Sequence, residues 1–173
     1  MSVLKPPVGD NDHVEGDDSA SIELVEFGDY QCPHCGAAYP IIKKIQKEFG
    51  SQIKFVYRNF PLTEIHPLAM SAAIAAEAAG LQDKFWEMHD TIFEHQKYLS
   101  VSAIYKFAQE SGVDLEKFKT DIQKQELQEL VESHFESGVR SGVNGTPSFF
   151  VNGKKFDGGA EDLYEVLKES TAI

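Results

Sequence analysis

Glu26-Phe27-Gly28-Asp29-Tyr30-Gln31-Cys32-Pro33-His34-Cys35 holds both cysteines of the 173-residue chain, three positions apart. Upstream, Ser21 to Phe27 is rich in β-formers and bounded by Gly28, the pattern of a strand. Downstream, Ala38, Ile41, Ile42, Ile45 and Phe49 recur at helical spacing, and Gly50 suits a C-cap. Pro33 fits the first turn of that helix, where its missing N–H has no helical partner. Cys32 therefore falls at a helix N-terminus, where free N–H groups and the helix dipole favour negative charge. The thiolate is the nucleophile of disulfide exchange, so this position activates Cys32. Cys35 lies one turn on, within reach of a disulfide. Two other readings stay open: a pair of incidental cysteines, and half of a zinc site. The zinc reading needs two more ligands, and His13, His66, His89, His95 and His134 lack ligand spacing.

Outward from this stretch, Ile53 to Arg58 alternates as a second strand, giving a βαβ unit with parallel strands. Residues 64–141 read as helices throughout. Pro67 is placed to open an alanine-rich helix that Gly80 ends, and Asp83, Ser100 and Asp114 to cap the next three. A fifth runs through Leu127, Leu130, Val131, His134 and Phe135 towards Gly142. Ser148 to Val151 and Lys154 to Asp157 flank Asn152-Gly153, a strong type I′ hairpin signal. An amphipathic helix with Leu163, Val166 and Leu167 follows. The order is β-α-β, helical block, β-β-α. Residues 1–20, with five acidic residues between Asp10 and Asp18, are expected to form a flexible acidic leader.

Composition fits one globular unit, with 42% hydrophobic and 25% charged residues. The net charge of −12 argues against nucleic acid and anionic membrane as partners. No apolar run reaches the ~20 residues of a membrane span, and no leader peptide is visible, so the compartment is open: cytoplasm, or periplasm if a leader was removed.

Cys-Pro-His-Cys after Leu24-Val25-Glu26-Phe27, together with Gly145-Thr146-Pro147-Ser148-Phe149-Phe150-Val151-Asn152-Gly153, resembles the DsbA-like branch of the thioredoxin superfamily. Asp12-His13 and Phe85-Trp86-Glu87-Met88-His89 are similar to soluble bacterial domains of that branch, some of them fused to sodium/proton antiporters. The resemblance implies an α/β thioredoxin fold with a mixed sheet, formed by residues 21–63 and 142–173. Residues 64–141 would be an inserted all-helical subdomain. It implies dithiol–disulfide exchange by a protein disulfide oxidoreductase, commonly as an oxidant. Reductase or isomerase work, or a non-catalytic module docking on a membrane partner, are the alternatives.

By position, Cys32 would attack and Cys35 resolve, Cys32 being the exposed thiol and Cys35 the buried one. Pro147 would follow a cis bond, with Pro33 and Pro40 trans, and Thr146 would offer its backbone to an extended substrate. Pro33 and His34 would tune the Cys32 thiolate. Glu26, in an apolar strand, would relay protons to Cys35, its pKa raised by desolvation. No cofactor or metal is expected beyond the redox-active Cys32–Cys35 pair. Expected partners are extended or unfolded proteins and a recycling partner (a membrane oxidase, glutathione or a reductase), and the chain is expected to be a monomer, not membrane-embedded.

Overall fold

The computed structural model describes residues 1–171. Its sheet holds β1 (Val14–Gly16), β2 (Ile22–Gly28), β3 (Ile53–Asn59), β4 (Ser148–Val151) and β5 (Lys154–Phe156). The strand order is β1-β3-β2-β4-β5. β2 and β3 are parallel and joined through α1 (Pro33–Phe49); every other pairing is antiparallel. β2 is thus central, and its Leu24, Val25, Glu26 and Phe27 are all buried. Alternation divides them: Leu24 packs with α1 and the helical block, Val25 and Phe27 with Val56, Phe60 and Phe150 on the far face. Asn152 and Gly153 take left-handed φ values of 49° and 81°, as a type I′ turn between β4 and β5 requires.

Between β3 and β4 lie α2 (Ala69–Gly80), α3 (Phe85–Glu94), α4 (Val101–Glu110), α5 (Leu115–Asp121) and α6 (Gln125–Arg140), and α7 (Ala160–Thr171) follows β5. In α2 six alanines from Ala72 to Ala79 are buried, so other helices approach it on several sides. Ser100 and Asp114 cap α4 and α5 by accepting from the N–H groups of Ala103 and Lys117. Asp83 does not cap α3: it sits at φ 59° inside the turn, and Lys84 holds the N-cap position without a side-chain bond. Pro67 likewise precedes α2, whose N-cap position is Leu68.

The flexible leader is corrected. Residues 3–16 form a strap across the far face of the sheet: Val3 bridges to Lys154 beside β5, while β1 pairs with β3 at the opposite edge. Leu4 is buried between, in the cluster with Val25, Phe27 and Phe150. Of the acidic residues that suggested self-repulsion, Asp12 and Glu15 have partners elsewhere in the chain, Glu15 with Gln46 and Lys43. Asp12 accepts two bonds of 2.9 Å from Arg58, and His13 meets Glu77 at 2.7 Å.

Candidate functional site

At the end of β2 the chain turns through Asp29-Tyr30-Gln31 into α1. Asp29 is buried and holds the turn: Oδ1 accepts from the Gln31 N–H, and Oδ2 from the Leu62 N–H and His66 Nδ1. Gln31 Oε1 accepts from the Leu68 N–H, so two bonded carboxyl and amide groups join this turn to the 62–68 loop. From the other side Gln96 Nε2 donates to the carbonyls of Tyr30 and Cys32, at 2.9 and 2.8 Å. Gly36 allows that approach, since a Cβ there would lie 2.1 Å from Gln96 Oε1.

Cys32 is the extended N-cap residue of α1, with Pro33 in the first turn. Its sulfur donates to the Thr146 carbonyl at 3.7 Å. The Thr146–Pro147 bond is cis, and so is Lys5–Pro6, which nothing in the sequence singled out. The Cys32 thiol is brought down to about 5. The hydrogen bond from Cys35 contributes most; the Thr146 hydroxyl and the N–H groups of Cys35 and His34 add to it, against the opposing effect of burial. Among the described residues the buried Thr146 Oγ1 has no other hydrogen-bond partner, so it is free to donate to a thiolate.

Cys35 is fully buried and moves the other way, well above its ordinary value. Burial is the main cause, followed by its bond to Cys32 and the charges of Glu26 and Cys32; the Asp29 N–H, 3.5 Å from its sulfur, works against them. Glu26 is 3% exposed, and burial, with the Cys32 charge added, pushes its carboxyl up to about 8. A carboxyl at that value can take up or release a proton near neutrality.

A family model described as Thioredoxin matches residues 9–169. The chain belongs to the thioredoxin family. Oxidised BdbD from Bacillus subtilis superposes with a TM-score of 0.84 at 28% identity, covering 98% of this chain and 95% of that one. A thioredoxin-like oxidoreductase from Silicibacter pomeroyi gives 0.76 at 25%, covering 95% of each. Among curated relatives, the Na(+)/H(+) antiporter NhaA 1 of Salinispora arenicola is 38% identical over 158 residues, 91% of this chain but 24% of that protein. The chain spans about a quarter of the length of such relatives. Its fold is that of the DsbA-like members, and the family places it among thiol–disulfide oxidoreductases at that general level.

Within this thioredoxin-family site, Cys32, Cys35, Glu26, Thr146 and Pro147 come together. A groove of about 370 Å³ runs beside them, lined by His34, Ala37, Ile41, Thr146, Pro147 and Glu161 among others. Two expectations need correction. The His34 ring is exposed and makes no hydrogen bond to the Cys32 sulfur; the residue acts there through its backbone N–H. Cys32 is not an open thiol either: at 3% exposure it is nearly covered, its sulfur against the Thr146 carbonyl and its own carbonyl held by Gln96. Sequence reading missed Asp29, Gln96 and the Thr146 hydroxyl. Asp29 stood three residues before Cys32 and could have been noticed; Gln96 carries no local signal.

Proposed function

We propose that this chain exchanges disulfides with protein thiols through Cys32 and Cys35, working as an oxidant. In the oxidised protein a substrate thiolate attacks Cys32 Sγ and the Cys32–Cys35 bond breaks. Cys35 leaves with the electron pair and takes a proton, for which Glu26 is the nearby donor. A second substrate thiolate then attacks the substrate sulfur of the mixed disulfide, and Cys32 departs as a thiolate. The substrate gains one disulfide, and the protein is left as the dithiol with two more electrons.

The observation that carries this reading is the split in acidity between the two sulfurs, Cys32 down to about 5 and Cys35 well up. A thiol of low pKa is the better leaving group at neutral pH, and its stable thiolate favours the reduced protein, which makes the disulfide an oxidant. An extended substrate segment fits the groove beside Pro147, with the Thr146 backbone as its hydrogen-bonding edge. No cofactor enters this cycle; a recycling partner must return the dithiol to the disulfide.

Oxidative refolding of a reduced substrate protein tests the reading, with the reduction potential of the Cys32–Cys35 pair measured alongside. Refolding driven by the oxidised chain, and lost in Cys32→Ser, is the expected result. A potential as low as that of thioredoxin would turn the assignment to a reductase. Likeness to antiporter chains four times as long favours a second reading, a module docked on a membrane transporter. In that case the chain would neither refold the substrate nor reduce insulin.

A further inference from the structure

Backbone N–H groups reach the two sulfurs of the site from opposite sides. Cys32 Sγ takes those of His34 and Cys35, at the start of α1. Cys35 Sγ takes that of Asp29, at 3.5 Å, from the end of β2. Cys35 is fully buried, so charge on its sulfur depends on the groups already facing it. The N–H in question belongs to the Gly28–Asp29 peptide, and that peptide is fastened at both ends. Its carbonyl, on Gly28, accepts from the Phe60 N–H at 2.7 Å. Beyond it the Asp29 carboxylate, whose side chain is fully buried, ties two segments together. Oδ1 accepts from the Gln31 N–H at 2.8 Å, and Oδ2 from the Leu62 N–H at 2.9 Å and His66 Nδ1 at 2.8 Å. The Asp29 carbonyl accepts in turn from the Cys32 N–H at 3.1 Å. A peptide group is planar, so fixing its carbonyl and the residue after it fixes where its N–H points. Here it points at Cys35 Sγ.

We propose that the Asp29 N–H holds the Cys35 thiolate during exchange, and that the Asp29 carboxylate and the His66 ring are the positioning groups that aim it. This rests on the exchange reading above and adds to it the stabilisation of the leaving sulfur. When a substrate thiolate attacks Cys32 Sγ, the new S–S bond forms, the Cys32–Cys35 bond breaks and Cys35 takes the electron pair. Until a proton arrives from Glu26, the negative sulfur is buried and faces the N–H dipole. In the return direction Cys35 gives its proton to Glu26 and attacks Cys32 Sγ, and the substrate leaves as a thiolate. The same charge forms on the same atom both ways, so one donor serves both. A donor fixed in advance needs no reorganisation when the charge appears, which is how an oxyanion hole works. Glu26 on β2 and Cys32 on α1 oppose charge on this sulfur; the Asp29 N–H favours it.

The test follows a mixed disulfide between Cys32 and a small thiol peptide in single turnovers: its formation from the oxidised protein and its resolution by Cys35. Parent, Asp29→Asn, His66→Leu and His66→Asn are compared, with alkylation of Cys32 by iodoacetamide as the control on the other sulfur. An asparagine carries its amide N–H near where a histidine carries Nδ1, so His66→Asn can keep the bond that His66→Leu removes. Formation and resolution should each slow by about tenfold in Asp29→Asn and His66→Leu, less than the roughly hundredfold lost when such a donor is deleted outright. The ratio of the two rates should not move, since Cys35 ends both steps uncharged. Cys32 alkylation should also be unchanged, and His66→Asn should recover the parent rates. A merely structural role reads differently: a loosened turn slows Cys32 alkylation as well, and a redox form that loses stability shifts the ratio. Either pattern overturns the inference, as do parent exchange rates in Asp29→Asn and His66→Leu. Should Asp29→Asn fail to fold, the two His66 variants decide by the same criteria. A parent protein that forms no mixed disulfide at Cys32 would refute the exchange chemistry itself, and the inference with it.

Discussion

The Cys35 thiol donates to the Cys32 sulfur, so one hydrogen bond lowers the pKa of Cys32 and raises that of Cys35. The donors at Cys32 can be ranked. Cys35→Ala should raise the Cys32 titration most, by about a unit or more, because a hydrogen bond to the charged form is lost. Thr146→Val should raise it less. His34→Ala should leave it in place, since alanine keeps the backbone N–H through which His34 acts. Thiolate absorbance against pH checks all three, and a large shift for His34→Ala would restore its ring as the tuning group. The placement of Cys32 was legible because a helix N-terminus is a local property of strand, proline and helical period. The Thr146 hydroxyl was not, because its partner lies 114 residues away and only the folded chain brings them together.

Helices and hairpin were likewise written locally. Ser100, Asp114 and Asn152-Gly153 act on neighbours within a few residues, and the structure uses each as its position suggests. Asp83 had the right type for a cap but stands one residue too early, before Lys84, which takes the N-cap position of α3. The one-turn segment Gln96–Tyr98 between α3 and α4 carried no signal at all, yet it fixes the cysteine loop. Gln96→Ala would take one donor from each of two backbone carbonyls, the Cys32 one keeping the Gly36 N–H, at about 1–2 kcal/mol for the two bonds. The denaturant midpoint should fall accordingly, and exchange through Cys32 should slow as the loop loosens. Unchanged stability with unchanged exchange would show that the loop is held without it.

Across the whole molecule the strap is fastened by charge as well as by apolar burial. Arg58 has a 3% exposed side chain and gives its donors to Asp12, to the carbonyls of Pro6 and Pro7, and to Ser137. Asp12→Ala leaves that guanidinium buried without its counter-charge, which costs about 3 kcal/mol in comparable pairs. Chemical denaturation should register the loss, and a change under about 0.5 kcal/mol, the usual size of a surface substitution, would mean the strap is held by Leu4 and its neighbours alone. Acidic residues in a run read as a repelling tail only while their partners are unknown; here Asp12 and Glu15 find theirs 46 and 31 residues away.

Stability against pH draws on the site too. The folded Cys32 pKa of about 5 lies below its ordinary 9.0, so its contribution is complete above 9.0 and lost as pH falls through 5. Glu26 acts in the opposite sense: raised from 4.5 to about 8, it favours the folded protein most at low pH and loses that as pH rises. Between about 5 and 8 the two slopes oppose each other in the reduced protein. The disulfide form keeps only the Glu26 slope. The margin of the reduced over the oxidised protein should therefore widen from pH 4 to pH 7 in paired denaturant melts. An oxidised form that is the more stable at pH 7 would reverse the oxidant assignment.

The strap's far anchor has one more consequence, for the order in which the chain is made. The Leu4 N–H bonds to the Gly153 carbonyl at 2.8 Å, so the strap is fastened to a residue made long after it. Leu4 must wait, uncovered, until the β4–β5 hairpin emerges, and the synthesis of some 150 residues at about 5–20 per second makes that a delay on the order of ten seconds. The βαβ unit and the helices between can assemble meanwhile, which leaves the closing of the strap over the sheet as the step that seals this fold.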